Sequence, residues 1–117
     1  MISKLIDVAM GRTMADTIIK NGTVFDVFNH KFTKTDVVIS NGKIVALGDG
    51  YSAKNIIDAT DKYIIPAFID AHAHIESSLL TPVEYAKVVV PKGVTTVIAD
   101  PHEKDSTLKL VLHVGDN

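Results

Sequence analysis

Residues 67–99 constrain the fold more than any other stretch, because they spell a strand, a helix and a second strand in an order that points to a parallel pair. Ala67-Phe68-Ile69-Asp70-Ala71-His72-Ala73 is nearly continuous in apolar and small residues, the composition of a parallel strand covered on both faces. Thr81-Pro82-Val83-Glu84 then supplies a capping box with proline at the first helical position, and Val83, Ala86, Lys87 and Val90 carry the helix to Pro91-Lys92-Gly93. Val94-Thr95-Thr96-Val97-Ile98-Ala99 is β-branched and apolar, hence a second buried strand. A βαβ unit runs its strands parallel through a right-handed crossover, so both C-terminal ends open on one side, where α/β folds bind ligands.

Two histidines stand on that side. Successive side chains of a strand point to opposite faces, so His72 and His74 share a face about 6.6–7 Å apart along the backbone, and both imidazoles can converge on one cation. Asp70 is in phase with them, placed to orient an imidazole or to hold a polarised water beside a metal. The competing reading is a pair of surface or helix-start histidines with no ligand. The second strand ends in Asp100-Pro101-His102-Glu103, which gathers His72, His74, His102 and Glu103 at one rim.

Upstream the pattern is different. Ile2, Leu5, Ile6 and Ala9 recur at helical spacing, with Ser3 as cap and Gly11 as stop, so residues 1–16 open the chain with a short amphipathic helix. Residues 17–65 read as short strands punctuated by Asn21-Gly22 and Asn41-Gly42, both hairpin signals, and continue through Asn55-Ile56-Ile57-Asp58 and Tyr63-Ile64-Ile65. The expected product is a small antiparallel, β-sandwich-like unit with a structural role. Residues 66–103 form the βαβ unit, and residues 104–117 are an atypical tail whose apolar positions fit neither the helical nor the strand period.

Composition excludes whole classes of chemistry. There is no cysteine among the 117 residues, which removes disulfides, thiolate catalysis and His/Cys/Cys zinc sites, so any metal must be held by His and carboxylate. A net charge of −2 with no stripe of Lys or Arg gives no electrostatic case for nucleic acid or an anionic membrane. Small-molecule ligands fit better. Charge throughout residues 1–15 argues against a secretory leader, and no apolar run approaches a membrane span, which makes the cytoplasm the default compartment.

Ile64-Ile65-Pro66-Ala67-Phe68-Ile69-Asp70-Ala71-His72-Ala73-His74 resembles the first barrel strand of the metal-dependent amidohydrolase superfamily. The continuation His74-Ile75-Glu76-Ser77-Ser78-Leu79-Leu80-Thr81-Pro82, with Gly93 to Glu103, resembles the adenine deaminase family within it. The likeness reaches back through Ala15-Asp16-Thr17-Ile18-Ile19-Lys20-Asn21-Gly22 and covers about residues 4–103. It implies a composite β domain beside a (β/α)8 barrel, a metal centre of Mn, Fe or Zn, and hydrolysis of adenine to hypoxanthine and ammonia. By motif it implies that His72 and His74 are metal ligands, that Asp70 lies just outside them, and that His102 and Glu103 belong to the catalytic, substrate-facing shell. Glu76 and Ser77 match positions just past the ligands, with either a functional or a loop-shaping role.

Two departures stand out: Ala67 replaces the usual glycine, and after Glu103 the chain runs Lys104-Asp105-Ser106-Thr107 where the family has small apolar residues. The expected fold class is therefore mixed α/β, a β-sandwich-like unit followed by the first βαβ of an incomplete barrel. A truncated form of this kind is expected to be inactive alone, the binuclear site and any homo-oligomer belonging to a complete chain. Two alternatives remain, another cyclic amidohydrolase and a non-catalytic β module used for binding or assembly. Glu76, standing where a dihydroorotase-like relative would carry arginine, weighs against one of the former.

Overall fold

A computed structural model describes residues 2–99 and, as backbone, 110–113. The chain forms two compact units that divide between Pro66 and Ala67. Among the described residues no helix is long and apolar enough to cross a membrane.

The first unit opens with α1 (Ile2–Ala9). Its buried side is not the one that simple spacing selects: Val8 is fully buried and Leu5 half-buried, while Ile2 and Ile6 are exposed. Val8 packs into a core with Ala15, Ile18 and Val38, and the Tyr51 hydroxyl donates to the Ala9 carbonyl at 2.9 Å, tying down the helix end. Gly11 takes a φ of 70° and ends the helix, as a residue without Cβ can at no steric cost.

Seven strands follow in two sheets. Strands β1 (Ala15–Lys20), β4 (Val37–Ser40), β5 (Lys43–Leu47) and β6 (Ala53–Asp58) form one sheet in the order β5-β4-β1-β6. Strands β2 (Thr23–Asp26), β3 (Lys31–Lys34) and β7 (Tyr63–Ile64) form the other, in the order β3-β2-β7. The unit is not purely antiparallel as expected, because β1 pairs with β6 and β2 with β7 in parallel. Both sheets line an open apolar groove of about 530 Å³, Val24 and Ile64 from one and Val37, Ile44 and Leu47 from the other.

The two Asn-Gly pairs behave differently. Asn41 and Gly42 both have positive φ, 51° and 68°, and close the β4–β5 hairpin with Ser40 opposite Lys43, as a type I′ turn requires. Asn21 also has positive φ, 64°, but Gly22 does not, and the expected hairpin is absent: the chain passes there from one sheet to the other. The reason is tertiary. The Asn21 backbone N–H donates to Asp36 Oδ1 at 3.0 Å and its Nδ2 to Asp58 Oδ1 at 3.1 Å, while the Ile64 side chain occupies the space a Cβ on Gly22 would need.

The second unit contains the βαβ arrangement: β8 (Phe68–Ala73), α2 (Pro82–Val89) and β9 (Val94–Ala99), with β8 and β9 parallel. The helix starts as its sequence dictates, Thr81 Oγ1 accepting from the Glu84 backbone N–H at 3.3 Å and Pro82 in the first turn. Glu84 does not close the capping box in return; its carboxylate meets Lys87 Nζ at 2.6 Å. Pro91 lacks an N–H, so the chain leaves α2 through a 3-10 turn, Val90–Lys92, which Gly93 terminates at a φ of 92°.

The core of this unit is Ile75, Val97 and Ala99, flanked by Ala73, Tyr85 and Val94. It lies towards the C-terminal ends of the strands. At the other end β8 is open rather than covered on both faces, with Phe68 55% and Ile69 65% exposed. The tail, whose apolar spacing fits neither period, supplies a further strand, β10 (Leu110–His113), antiparallel to β9 in a sheet ordered β10-β9-β8. The described sheet is therefore mixed, and the all-parallel start of a closed barrel is not what it displays.

Candidate metal centre

The two histidines come together at the end of β8. His72 lies within the strand and His74 just beyond it, in the step to a 3-10 turn at Glu76–Ser78. Ile75, which follows them, is buried in the core, and this anchors the stretch while the imidazoles point elsewhere. Their Nε2 atoms are 3.0 Å apart, with ring centroids at 4.7 Å and planes inclined by 86°.

That geometry fits a shared cation. With metal–nitrogen bonds of about 2.0–2.1 Å directed outward from each ring, two imidazoles at this Nε2 spacing subtend roughly 90–100° at the metal, and their centroids fall about 4.6–4.8 Å apart. A linear hydrogen bond between the rings would hold the centroids farther apart than the 4.7 Å observed. Imidazole nitrogen is a favoured donor for Zn, Cu, Fe and Ni.

The carboxylates around the pair divide their attention. Asp70 Oδ1 accepts the His72 backbone N–H at 3.2 Å, so this oxygen braces the strand end. Glu76 Oε1 lies 3.4 Å from His74 Nδ1, on the side of the ring away from His72. The 3-10 turn puts it there: Ser77 N donates to the His74 carbonyl, Ser78 N and Oγ to that of Ile75, and Leu79 N to that of Glu76. Among the described residues no group of three or more metal-ligating side chains assembles. His102 and Glu103, expected at the same rim, lie outside the described residues.

The apolar groove of the first unit offers no such chemistry: among the described residues that line it Asp26 alone is ionisable, and that carboxylate is engaged by Phe28 N and by Asn29. These bonds hold the Asp26 carboxyl below the usual range, the Asn29 side chain contributing most. Asp16 and Asp58 are lowered for the same kind of reason, Asp16 chiefly by the Asn41 backbone N–H and Asp58 chiefly by the Thr60 hydroxyl. All three are turn-building groups.

Residues 63–104 match the model of the Amidohydrolase family. The adenine deaminase of Bacillus velezensis is 51% identical over 102 residues, 87% of this chain and 18% of that protein. The adenine deaminase of Bacillus subtilis is 54% identical over 92 residues, 79% of this chain and 16% of that protein. The chain thus spans less than a fifth of the length of these relatives.

Among solved structures, the N-acyl-D-glutamate deacylase of Bordetella bronchiseptica, complexed with zinc and a phosphonate inhibitor, superposes with a TM-score of 0.63 at 26% identity, over 74% of this chain and 19% of its own. D-aminoacylase gives 0.62 at 36% identity, over 73% of this chain and 18% of its own. L-hydantoinase from Arthrobacter aurescens gives 0.60 at 26%, over 74% and 20%. Along most of its length the chain is therefore similar to the N-terminal part of adenine deaminases, and through residues 63–104 to the amidohydrolase family.

Proposed function

We propose that this chain supplies the N-terminal part of a metal-dependent adenine deaminase. Its first unit, residues 17–65 with the helix of 1–16, is a segment of a composite β domain; residues 66–103 are the first βαβ of a (β/α)8 barrel. His72 and His74 hold a divalent cation, Mn, Fe or Zn, with Asp70 beside them, and His102 and Glu103 face the substrate. The observation that carries this reading is the convergence of the two Nε2 atoms at 3.0 Å, at the end of a strand whose sequence follows adenine deaminases.

A divalent cation held by His72 and His74 would supply an activated water as nucleophile for the amidine-like carbon of adenine at neutral pH. Loss of the amine needs a proton donor, work suited to a His or Glu. Among the described residues two imidazoles converge, fewer than the three protein ligands an ordinary catalytic zinc site uses, and the 117-residue chain alone is expected to release no ammonia from adenine. The compartment that suits the activity is the cytoplasm, with purine catabolism as its setting.

A chimera tests the reading directly. Residues 1–103 of this chain replace the corresponding N-terminal segment of the Bacillus subtilis adenine deaminase, and ammonia release from adenine is measured with added manganese. Turnover is expected, and His72→Ala or His74→Ala in the chimera is expected to abolish it together with bound metal. A folded chimera that keeps its metal and activity after both substitutions would remove the ligand assignment; a folded chimera that deaminates another substrate but not adenine would remove the substrate.

A further inference from the structure

The dipeptide Asn-Gly stands twice in the first unit, and the fold treats the two copies as chemical opposites. Asparagine followed by glycine is thermolabile, because a successor without a side chain leaves its backbone nitrogen free to reach the asparagine amide carbon. The reaction needs a loose side chain and a main chain that can turn. At Asn21-Gly22 both are held. Asn21 Nδ2 donates to Asp58 Oδ1 at 3.1 Å and the Asn21 backbone N–H to Asp36 Oδ1 at 3.0 Å. Gly22 is buried, its carbonyl accepts the Thr35 N–H at 3.2 Å, and the Ile64 side chain fills the space beside it.

At Asn41-Gly42 the main chain is tied at its start and the side chain is loose. The Asn41 backbone N–H donates to Asp16 Oδ2 at 2.9 Å, while among the described residues the Asn41 side-chain amide has no hydrogen-bond partner. Both residues are exposed, and no atom lies within 4 Å of where a Gly42 Cβ would stand. The turn joins β4 to β5, and β5 stands at the edge of the described sheet, so the hairpin tip opens by parting one ladder.

We propose that Asn41 is a site of spontaneous deamidation, that Asn21 is protected from the same reaction, and that modification of residue 41 loosens the first unit. The Gly42 nitrogen gives up its proton to solvent and bonds to Asn41 Cγ. The Cγ–Nδ2 bond breaks and ammonia leaves with an equivalent proton, closing a succinimide ring. Water then adds at either ring carbonyl, and the ring opens to aspartate or isoaspartate. One water is consumed and one ammonia released, with no oxidant or reductant. The reaction is independent of the metal chemistry proposed above.

Either product brings a new carboxylate close to Asp16, whose Oδ2 already accepts from Asn41 N and, at 3.3 Å, from Ser40 Oγ. Like charges so placed repel. Isoaspartate also lengthens the main chain by a methylene inside a turn that sets Ser40 opposite Lys43, and turn geometry fixes the register of a hairpin.

The test ages the full 117-residue chain in mildly alkaline buffer, folded and in guanidinium chloride, followed by trypsin digestion and mass spectrometry. Cleavage at lysine puts the two sites in separate peptides, residues 35–43 and 21–31, and fragmentation locates the exchange of amide NH2 for OH. In the folded chain residue 41 is expected to convert about tenfold faster than residue 21, a factor that one hydrogen bond of ordinary strength supplies. In guanidinium the two rates are expected to converge. The aged folded chain is expected to accept methyl groups from an isoaspartyl methyltransferase and to unfold at a lower denaturant midpoint than fresh chain. Asn41→Gln is expected to keep its midpoint on ageing.

Equal rates at the two sites in the folded chain, or a difference that persists in guanidinium, would overturn the assignment, since the fold would then not distinguish them. A folded chain whose residue 41 stays intact while the unfolded chain converts would overturn the site. An aged chain with the midpoint of the fresh one would overturn the loosening of the first unit.

Discussion

At the level of single residues, the same amino acid serves two purposes in the first unit. Gly42 is required by conformation, with a φ of 68° and open space where a Cβ would stand. Gly22 is required by packing, its missing side chain leaving room for Ile64. Replacing either with alanine is expected to destabilise the unit by about 1–3 kcal/mol, Gly42 through left-handed backbone strain and Gly22 through overpacking. The two causes separate in a second substitution. Ile64→Val, which trims the overlapping methyl, is expected to recover part of the Gly22→Ala loss in denaturant titrations and none of the Gly42→Ala loss. Equal recovery in both would contradict the packing explanation.

Among helices and strands, legibility follows how local the cause is. Helix α2 is written in four consecutive residues, and Thr81→Ala is expected to cost about 1 kcal/mol, read as faster hydrogen exchange in its first turn, with Thr81→Ser close to wild type. No change in exchange would mean that tertiary packing alone starts the helix. Strands β8 and β9 are equally plain, β9 through its β-branched residues and β8 through its apolar and small ones, with proline or glycine just outside them. Strand β3 is not, because Lys31-Phe32-Thr33-Lys34 holds a single apolar residue and becomes a strand through its ladder with β2. Strand β10, Leu110-Val111-Leu112-His113, is obscure for another reason: its short apolar run has no alternation, and its antiparallel ladder with β9 makes it a strand. For helix α1, spacing gives the position along the chain but not the rotation about the axis, because burial of Val8 is decided by the sheet it meets.

Across the molecule as a whole, three aspartates brace the first unit and link its stability to pH. Asp16, Asp26 and Asp58 have folded-state pKa values below their ordinary 3.8 because backbone and side-chain donors favour the carboxylate. Their contribution is full above the unfolded pKa and disappears as pH falls through the folded values. The melting temperature is therefore expected to fall as pH drops below about 4 and through the lowered folded-state values. Asp58→Asn is expected to lower it at neutral pH, by loosening the Asn21 and Thr60 contacts, and to flatten this acid decline. An acid decline as steep in Asp58→Asn as in wild type would sink the assignment for that residue.

Half of the candidate site is legible in the residue order of one strand. An apolar strand that presents His72 and His74 on one face is a property of the two-residue period, and that period follows from the pleat alone. The capped helix and its following strand are likewise local, so residue order is enough to dictate the βαβ unit and the place of the imidazoles within it. Residue order does not say where distant segments meet. The parallel pairing of β1 with β6, the passage between sheets at Asn21-Gly22 and the spacing of the two Nε2 atoms each depend on contacts or backbone paths that no local pattern encodes. Long-range packing settles those, and the folded chain alone sets Glu76 beside His74, because a 3-10 turn rather than a continuing strand follows the second histidine.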